Sequence, residues 1–134
     1  MKKLLSFLMV LSMLLSFSAC GSRKTDAQKM GLRCFEENPE FPRPEYFLSG
    51  VTFHSMEDTE KAYLYVFDLP DDPDEANQVY HHYQYTLLED LGMESVDDGE
   101  GYASFYKDGK RLGRMRAGGS WGDSVYLVLA IDKQ

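Results

Sequence analysis

Histidines, a cysteine and clustered carboxylates are the residues through which this 134-residue chain could do chemistry. His81 and His82 are neighbours. On a helix their side chains diverge by about 100°, so they cannot face one metal together. Neither has a carboxylate, histidine or cysteine three or four positions away, which a zinc-binding helix face requires. The acidic runs Asp71, Asp72, Asp74, Glu75 and Asp97, Asp98, Glu100 lack the alternating spacing and distant glutamate of a calcium loop. Cys34 stands near Glu36 and Glu37, carboxylates that raise a thiol's pKa and so oppose nucleophilic use. These patterns predict no catalytic residue, no metal and no cofactor.

A different chemistry is concentrated between Lys107 and Trp121. Lys107, Lys110, Arg111, Arg114 and Arg116 are five of the eight cations from Cys34 onward, and the single tryptophan follows them. Exposed tryptophan with arginine is the usual composition of a protein-binding hot spot, or of a platform for an anionic or sugar ligand. The alternative is that the cations keep an edge strand from pairing with other chains while Trp121 packs inward. Gly122-Asp123-Ser124-Val125 resembles the nucleophile block of GDSL-type esterases in residue types only. That serine precedes a helix, whereas Ser124 opens a strand pattern and no histidine follows it. Gly118-Gly119-Ser120 lacks the lysine of a phosphate-binding loop.

The elements that would carry these residues are legible from periodicity. Tyr46 to His54 reads as a first strand and Ser55 to Thr59 as a polar turn. Lys61 to Asp68 is apolar on both parities and reads as an interior strand. A helix then begins with Asp72 as N-cap, Pro73 at the first position and Glu75 three beyond the cap. Its buried stripe is Ala76, Val79, Tyr80, Tyr83, Leu87 and Leu91, and Gly92 with Met93 should close it. Ser95 to Gly101 reads as an acidic loop. Tyr102 to Lys107 and Lys110 to Arg116 form a hairpin about a type I′ Asp108-Gly109 turn, with Phe105 opposite Leu112. A Gly-rich loop, 118–124, leads into a last strand, Val125 to Asp132. The expected fold is a two-layer α+β domain, ββαβββ, with an antiparallel sheet and one long helix on one face.

The amino terminus sets the compartment. Lys2 and Lys3 precede Leu4 to Phe17, an apolar run interrupted only by serines. The run is shorter than the ~20 residues a spanning helix needs, so it reads as a secretory signal peptide. Phe17-Ser18-Ala19-Cys20 resembles the lipobox of bacterial lipoproteins. That resemblance implies cleavage before Cys20, a diacylglycerol thioether on its sulfur, and fatty acylation of the new α-amine. The alternative is an ordinary cut after Gly21.

Domain organisation follows: a signal peptide over 1–19, a lipidated and then basic and Pro-rich linker over 20–45, and one domain over 46–134. The linker carries Arg23, Lys24, Lys29 and Arg33 against Asp26 alone up to Arg33, whereas from Cys34 onward 21 Asp or Glu face 8 Lys or Arg. So acidic a body disfavours nucleic acid, whose phosphates need a basic face. The sequence therefore predicts an extracytoplasmic protein held to the membrane through Cys20. Its role is a non-catalytic binding or accessory module for an envelope protein or an anionic or sugar ligand. The expected site residues are Lys110, Arg111, Arg114, Arg116 and Trp121. The competing expectation is a hydrolase with carboxylates the sequence does not locate.

Overall fold

Alternation along Ala62–Asp68 sets the architecture. Tyr65 and Phe67 are buried while Leu64 and Val66 on the opposite parity are half-buried, so one side of this strand faces the core more fully than the other. The computed structural model describes residues 23–118 and 125–133; Cys20, Trp121 and the rest of the leader and 119–124 loop lie outside them. Among the described residues the strands are β1 (Thr52–Asp58), β2 (Ala62–Asp68), β3 (Glu94–Asp97), β4 (Ala103–Lys107), β5 (Lys110–Gly118) and β6 (Tyr126–Asp132). They form one six-stranded antiparallel sheet in the order β1-β2-β6-β5-β4-β3.

The long helix starts as its sequence dictates. Asp72 accepts from the amides of Asp74 (2.8 Å) and Glu75 (3.3 Å), and Pro73 opens α2 (Pro73–Tyr85), a second helix after the short α1 (Asp26–Lys29). The last turn, Thr86–Asp90, widens to π geometry, and Leu91 N–H donates to Thr86 O. Gly92 then takes φ +68°, and Met93 turns back to donate to Leu87 O and bury its side chain. The stripe behaves as expected: Ala76, Tyr83, Leu87 and Leu91 are buried, with Val79 and Tyr80 packed against them.

The α+β class, with an antiparallel sheet and one long helix on one face, is as the sequence predicts. Its order gains a strand. Glu94–Asp97, which overlaps the start of the expected loop Ser95 to Gly101, pairs with β4 as an edge whose four residues are all exposed. The first strand is also displaced, to Thr52–Asp58. Pro44–Tyr46 winds a short 3₁₀ turn instead, and Gly50 at φ +82° packs so closely on Pro70 that a Cβ would lie 2.8 Å from its Cγ. The residues read as a polar turn are therefore strand. The turn falls at Thr59, whose hydroxyl donates to Ala62 O at 2.7 Å. In the hairpin, Asp108 and Gly109 both have positive φ, as a type I′ turn requires. Tyr106 opposes Arg111, and a bulge at this point brings Phe105 opposite Gly113 rather than the expected Leu112.

The larger correction concerns 20–45. From Thr25 onward this segment is not a spacer but the rest of the core's cover. Ala27, Phe35, Phe41, Pro42 and Pro44 are buried, and Phe35 lies 4.4 Å from the Tyr65 ring and 6.2 Å from Phe67. The prolines suit burial because they bring no N–H that would need a partner. A closed loop forms around them: Arg43 N–H donates to Arg33 O at 2.7 Å and Phe35 N–H to Phe41 O at 3.1 Å. Tyr83 joins the helix to this loop by donating to Pro42 O at 2.7 Å. Arg43 caps the junction, bonded in a fork to Glu45 and placed over the rings of Phe35 and Phe53.

Candidate functional site

One face of the sheet is covered by α2 and the N-terminal segment; no described helix covers the other. Period-two alternation assigns residues to that open face. On β5, Met115 turns inward and is fully buried, so Arg114 and Arg116 point outward. Register places Arg114 beside Ala130 and Leu64, and Arg116 beside Val128 and Val66. The next row holds Gly118, Tyr126 and Asp68.

Tyr102, one residue before β4, supplies the aromatic platform. The guanidinium carbons of Arg114 and Arg116 each lie 4.9 Å from its ring centroid. The ring quadrupole holds both cations at a separation that charge repulsion alone would widen. Among the described residues neither has a carboxylate within 4 Å, and the Arg114 Nε is buried without a hydrogen-bond partner. Among the described residues both other arginines of this acidic body and two of its four lysines are occupied, whereas Lys61 and Lys110 are exposed without an ion pair. Arg43 is on Glu45, Lys107 on Asp26 and Glu40, Arg111 on Asp132 (2.6 Å from Nε to Oδ2), and Lys133 on Asp58. A buried guanidinium nitrogen with no acceptor is costly.

The five cations named from sequence therefore separate. Lys107 points to the covered face, where it ties down the N-terminal segment. Arg111 shares the open face but is committed to Asp132. Lys110 is exposed beside the Asp108-Gly109 turn. Among the described residues only Arg114 and Arg116 of the five come together without an ion pair, and Trp121 lies outside those residues, as do most of the glycine-rich loop and Ser124.

Sequence reading missed two contributors. In sequence Tyr102 reads only as a strand start, because nothing local shows which cations will cross to it. His54 sits at the other margin of the face, with Nδ1 3.3 Å from Asp68 Oδ2 and its ring 5.3 Å from Tyr126. Three strand spacings separate it from β5, about 14 Å. A His–Asp pair can orient a general base, but no described hydroxyl or thiol bonds to this imidazole.

The remaining chemical candidates have structural uses. Asp98 Oδ1 accepts from the amides of Glu100 (2.8 Å) and Tyr102 (3.2 Å), and Asp97 Oδ1 from Gly99, so this acidic run builds its own turn. Cys34 donates to Leu32 O at 3.4 Å, and burial, followed by the Glu40 charge, pushes its thiol pKa up, which disfavours the reactive thiolate. His81 and His82 are exposed on the helix, and among the described residues no three His, Cys, Asp or Glu gather as metal ligands. A cleft of about 600 Å³ lies near α1, lined by Arg23, Lys24, Thr25, Gln28, Leu32 and Pro39 among others. It has no carboxylate or histidine in its wall. No protein-family model matches this chain, and no curated protein or solved structure is significantly similar to it.

Proposed function

We propose that this chain is a lipid-anchored, extracytoplasmic envelope protein whose domain binds an anionic group on a partner and performs no catalysis. The Arg114–Tyr102–Arg116 cluster carries the binding half of this reading. Among the described residues it is a pair of guanidiniums with no carboxylate in ion-pair reach, on a sheet face that no described helix covers, in a body whose other arginines beyond Cys34 are paired. Half-buried Val66, Val128 and Tyr126 beside it offer apolar contact for the remainder of the ligand, carried by an envelope protein or a saccharide. The anchoring half rests on the lipobox-like Phe17-Ser18-Ala19-Cys20 after a short apolar leader. Two acyl chains hold a protein stably at a bilayer, so the domain would need no spanning segment. Among the described residues no helix is long and apolar enough to cross.

Crosslinking on intact cells tests both halves. Arg114→Ala with Arg116→Ala should stay membrane-bound and folded but recover its crosslinked partner at least about tenfold less well, as expected for a desolvated arginine hot spot. Cys20→Ser should shed the protein from membranes and end incorporation of labelled fatty acid. Unchanged capture by the double variant removes the proposed face; continued attachment of Cys20→Ser removes the anchor.

A further inference from the structure

The segment beyond the anchor is packed almost from its start. Thr25 Oγ1 donates to Pro39 O at 2.7 Å and also accepts from Gln28 N–H, while the Gln28 side chain returns a bond to Thr25 N–H. Two residues on, Ala27 is in the core. If Cys20 carries lipid, only Gly21 to Lys24 lie between the acyl chains and fixed backbone. Five peptide steps reach about 17 Å at full extension. A domain of about 110 residues has a radius of gyration near 13 Å, so its width exceeds the tether. Such a domain cannot turn an arbitrary side to the bilayer.

The side held there has the chemistry of an anionic surface's complement. Arg23, Lys24, Lys29 and Arg33 have no ion pair among the described residues. Two of the segment's acids, Asp26 and Glu40, are drawn onto Lys107 Nζ at 3.0 Å, while Glu36 and Glu37 are exposed beyond Arg33. Arg23 and Lys24 line the cleft of about 600 Å³ with Thr25, Gln28 and Leu32. Met30, about half exposed at 49%, follows Lys29 directly. Exposed apolar side chains beside cations are what an interfacial surface presents to headgroups.

We infer that this N-terminal surface docks on the leaflet, with anionic phospholipid headgroups against Arg23, Lys24, Lys29 and Arg33. The inference rests on the lipidation of Cys20 proposed above. Because Ala27 packs into the core on the covered side of the sheet, docking leaves the Arg114–Arg116 face turned away from the bilayer, toward a partner. The attraction is local, since it decays over a Debye length of about 8 Å at physiological salt. The strongly acidic remainder of the body is repelled by the same leaflet, which reinforces a single orientation.

The full lipidated protein reconstituted in vesicles provides the test, read by amide hydrogen exchange. On vesicles containing phosphatidylglycerol, amides 26–33 should exchange at least about fivefold more slowly than on pure phosphatidylcholine, while the exposed helix surface around His81 is unchanged. Lys24→Glu with Lys29→Glu should lose that difference yet remain vesicle-bound through its lipid. Lipidated protein that floats with both vesicle types and shows no difference overturns docking alone, as does a charge-reversed variant that keeps the protection. Protein whose mass lacks the lipid and does not float overturns the anchor, and the docking with it.

Discussion

Gly113 determines how closely the N-terminal segment approaches the sheet. A Cβ there would stand 2.6 Å from the Ala130 carbonyl oxygen and 3.1 Å from the Phe41 ring, and neither neighbour is a flexible side-chain end. Gly113→Ala should therefore destabilise the domain by about 1–3 kcal/mol, the usual cost of overpacking. Urea unfolding should show a lower midpoint with an unchanged slope. In sequence, a glycine between Leu112 and Arg114 signals only that a strand is locally weakened or closely approached. The ring that approaches it belongs to a segment seventy residues away, which no local pattern reveals. Arg114 illustrates the same limit: its charge is legible, its lack of a carboxylate is not.

Lys107 acts between elements. Its ammonium bonds Asp26 of α1 and Glu40 of the proline loop, tying both to the end of β4. The Lys107 hydrogen bond and charge hold the Asp26 carboxyl below its ordinary 3.8. Burial pulls the Lys107 pKa down, but the two acidic partners outweigh it and raise it above 10.5. The signs follow from linkage. Asp26 contributes its stability above 3.8 and loses it as pH falls through its lowered pKa. Lys107 contributes below 10.5 and loses its share as pH rises through its raised one. The latch is thus closed throughout the neutral range and opens at both extremes. Lys107→Met should speed amide exchange over 25–41 a few-fold at neutral pH, the scale of a partly exposed ion pair, while leaving β6 protected. In that variant the acid-induced loosening of the segment should be reduced, since Asp26 has lost its bonded ammonium and keeps only the weaker charge of Lys29. Strand β3 was hidden at this scale because an exposed edge buries neither parity, and so carries no period in its sequence.

At the scale of the molecule, the N-terminal segment is part of the folding unit. Phe35 and Phe41 are buried to 1% and 0% exposure, and each such side chain contributes roughly 1.5–3 kcal/mol by leaving water. That is a large part of the ~5–15 kcal/mol by which a domain of this size is stable. A protein begun at Tyr46 should consequently fail to fold cooperatively, exposing Tyr65 and Phe67. Loss of near-ultraviolet dichroism and of dispersed amide resonances would be the expected outcome; a cooperative unfolding transition in the truncated chain would contradict it. Among the described residues the sheet has one face clad by α2 and the N-terminal segment and a second over which no described helix lies, which carries Arg114 and Arg116.

The chain's own order of residues determined the helix with its cap and terminal glycine, the interior strands, the I′ hairpin and the α+β class. All of these arise from interactions within a few positions or from a regular alternation of burial. Tertiary structure alone decided which cations remained unpaired, which ring gathered Arg114 and Arg116, and that a proline-rich stretch resembling a spacer became core. Those outcomes depend on partners distant in sequence: Lys107 meets Asp26 across 81 positions and Tyr83 meets Pro42 across 41. Local propensity carries no information about such meetings, because they are fixed only when the sheet's register brings the residues together.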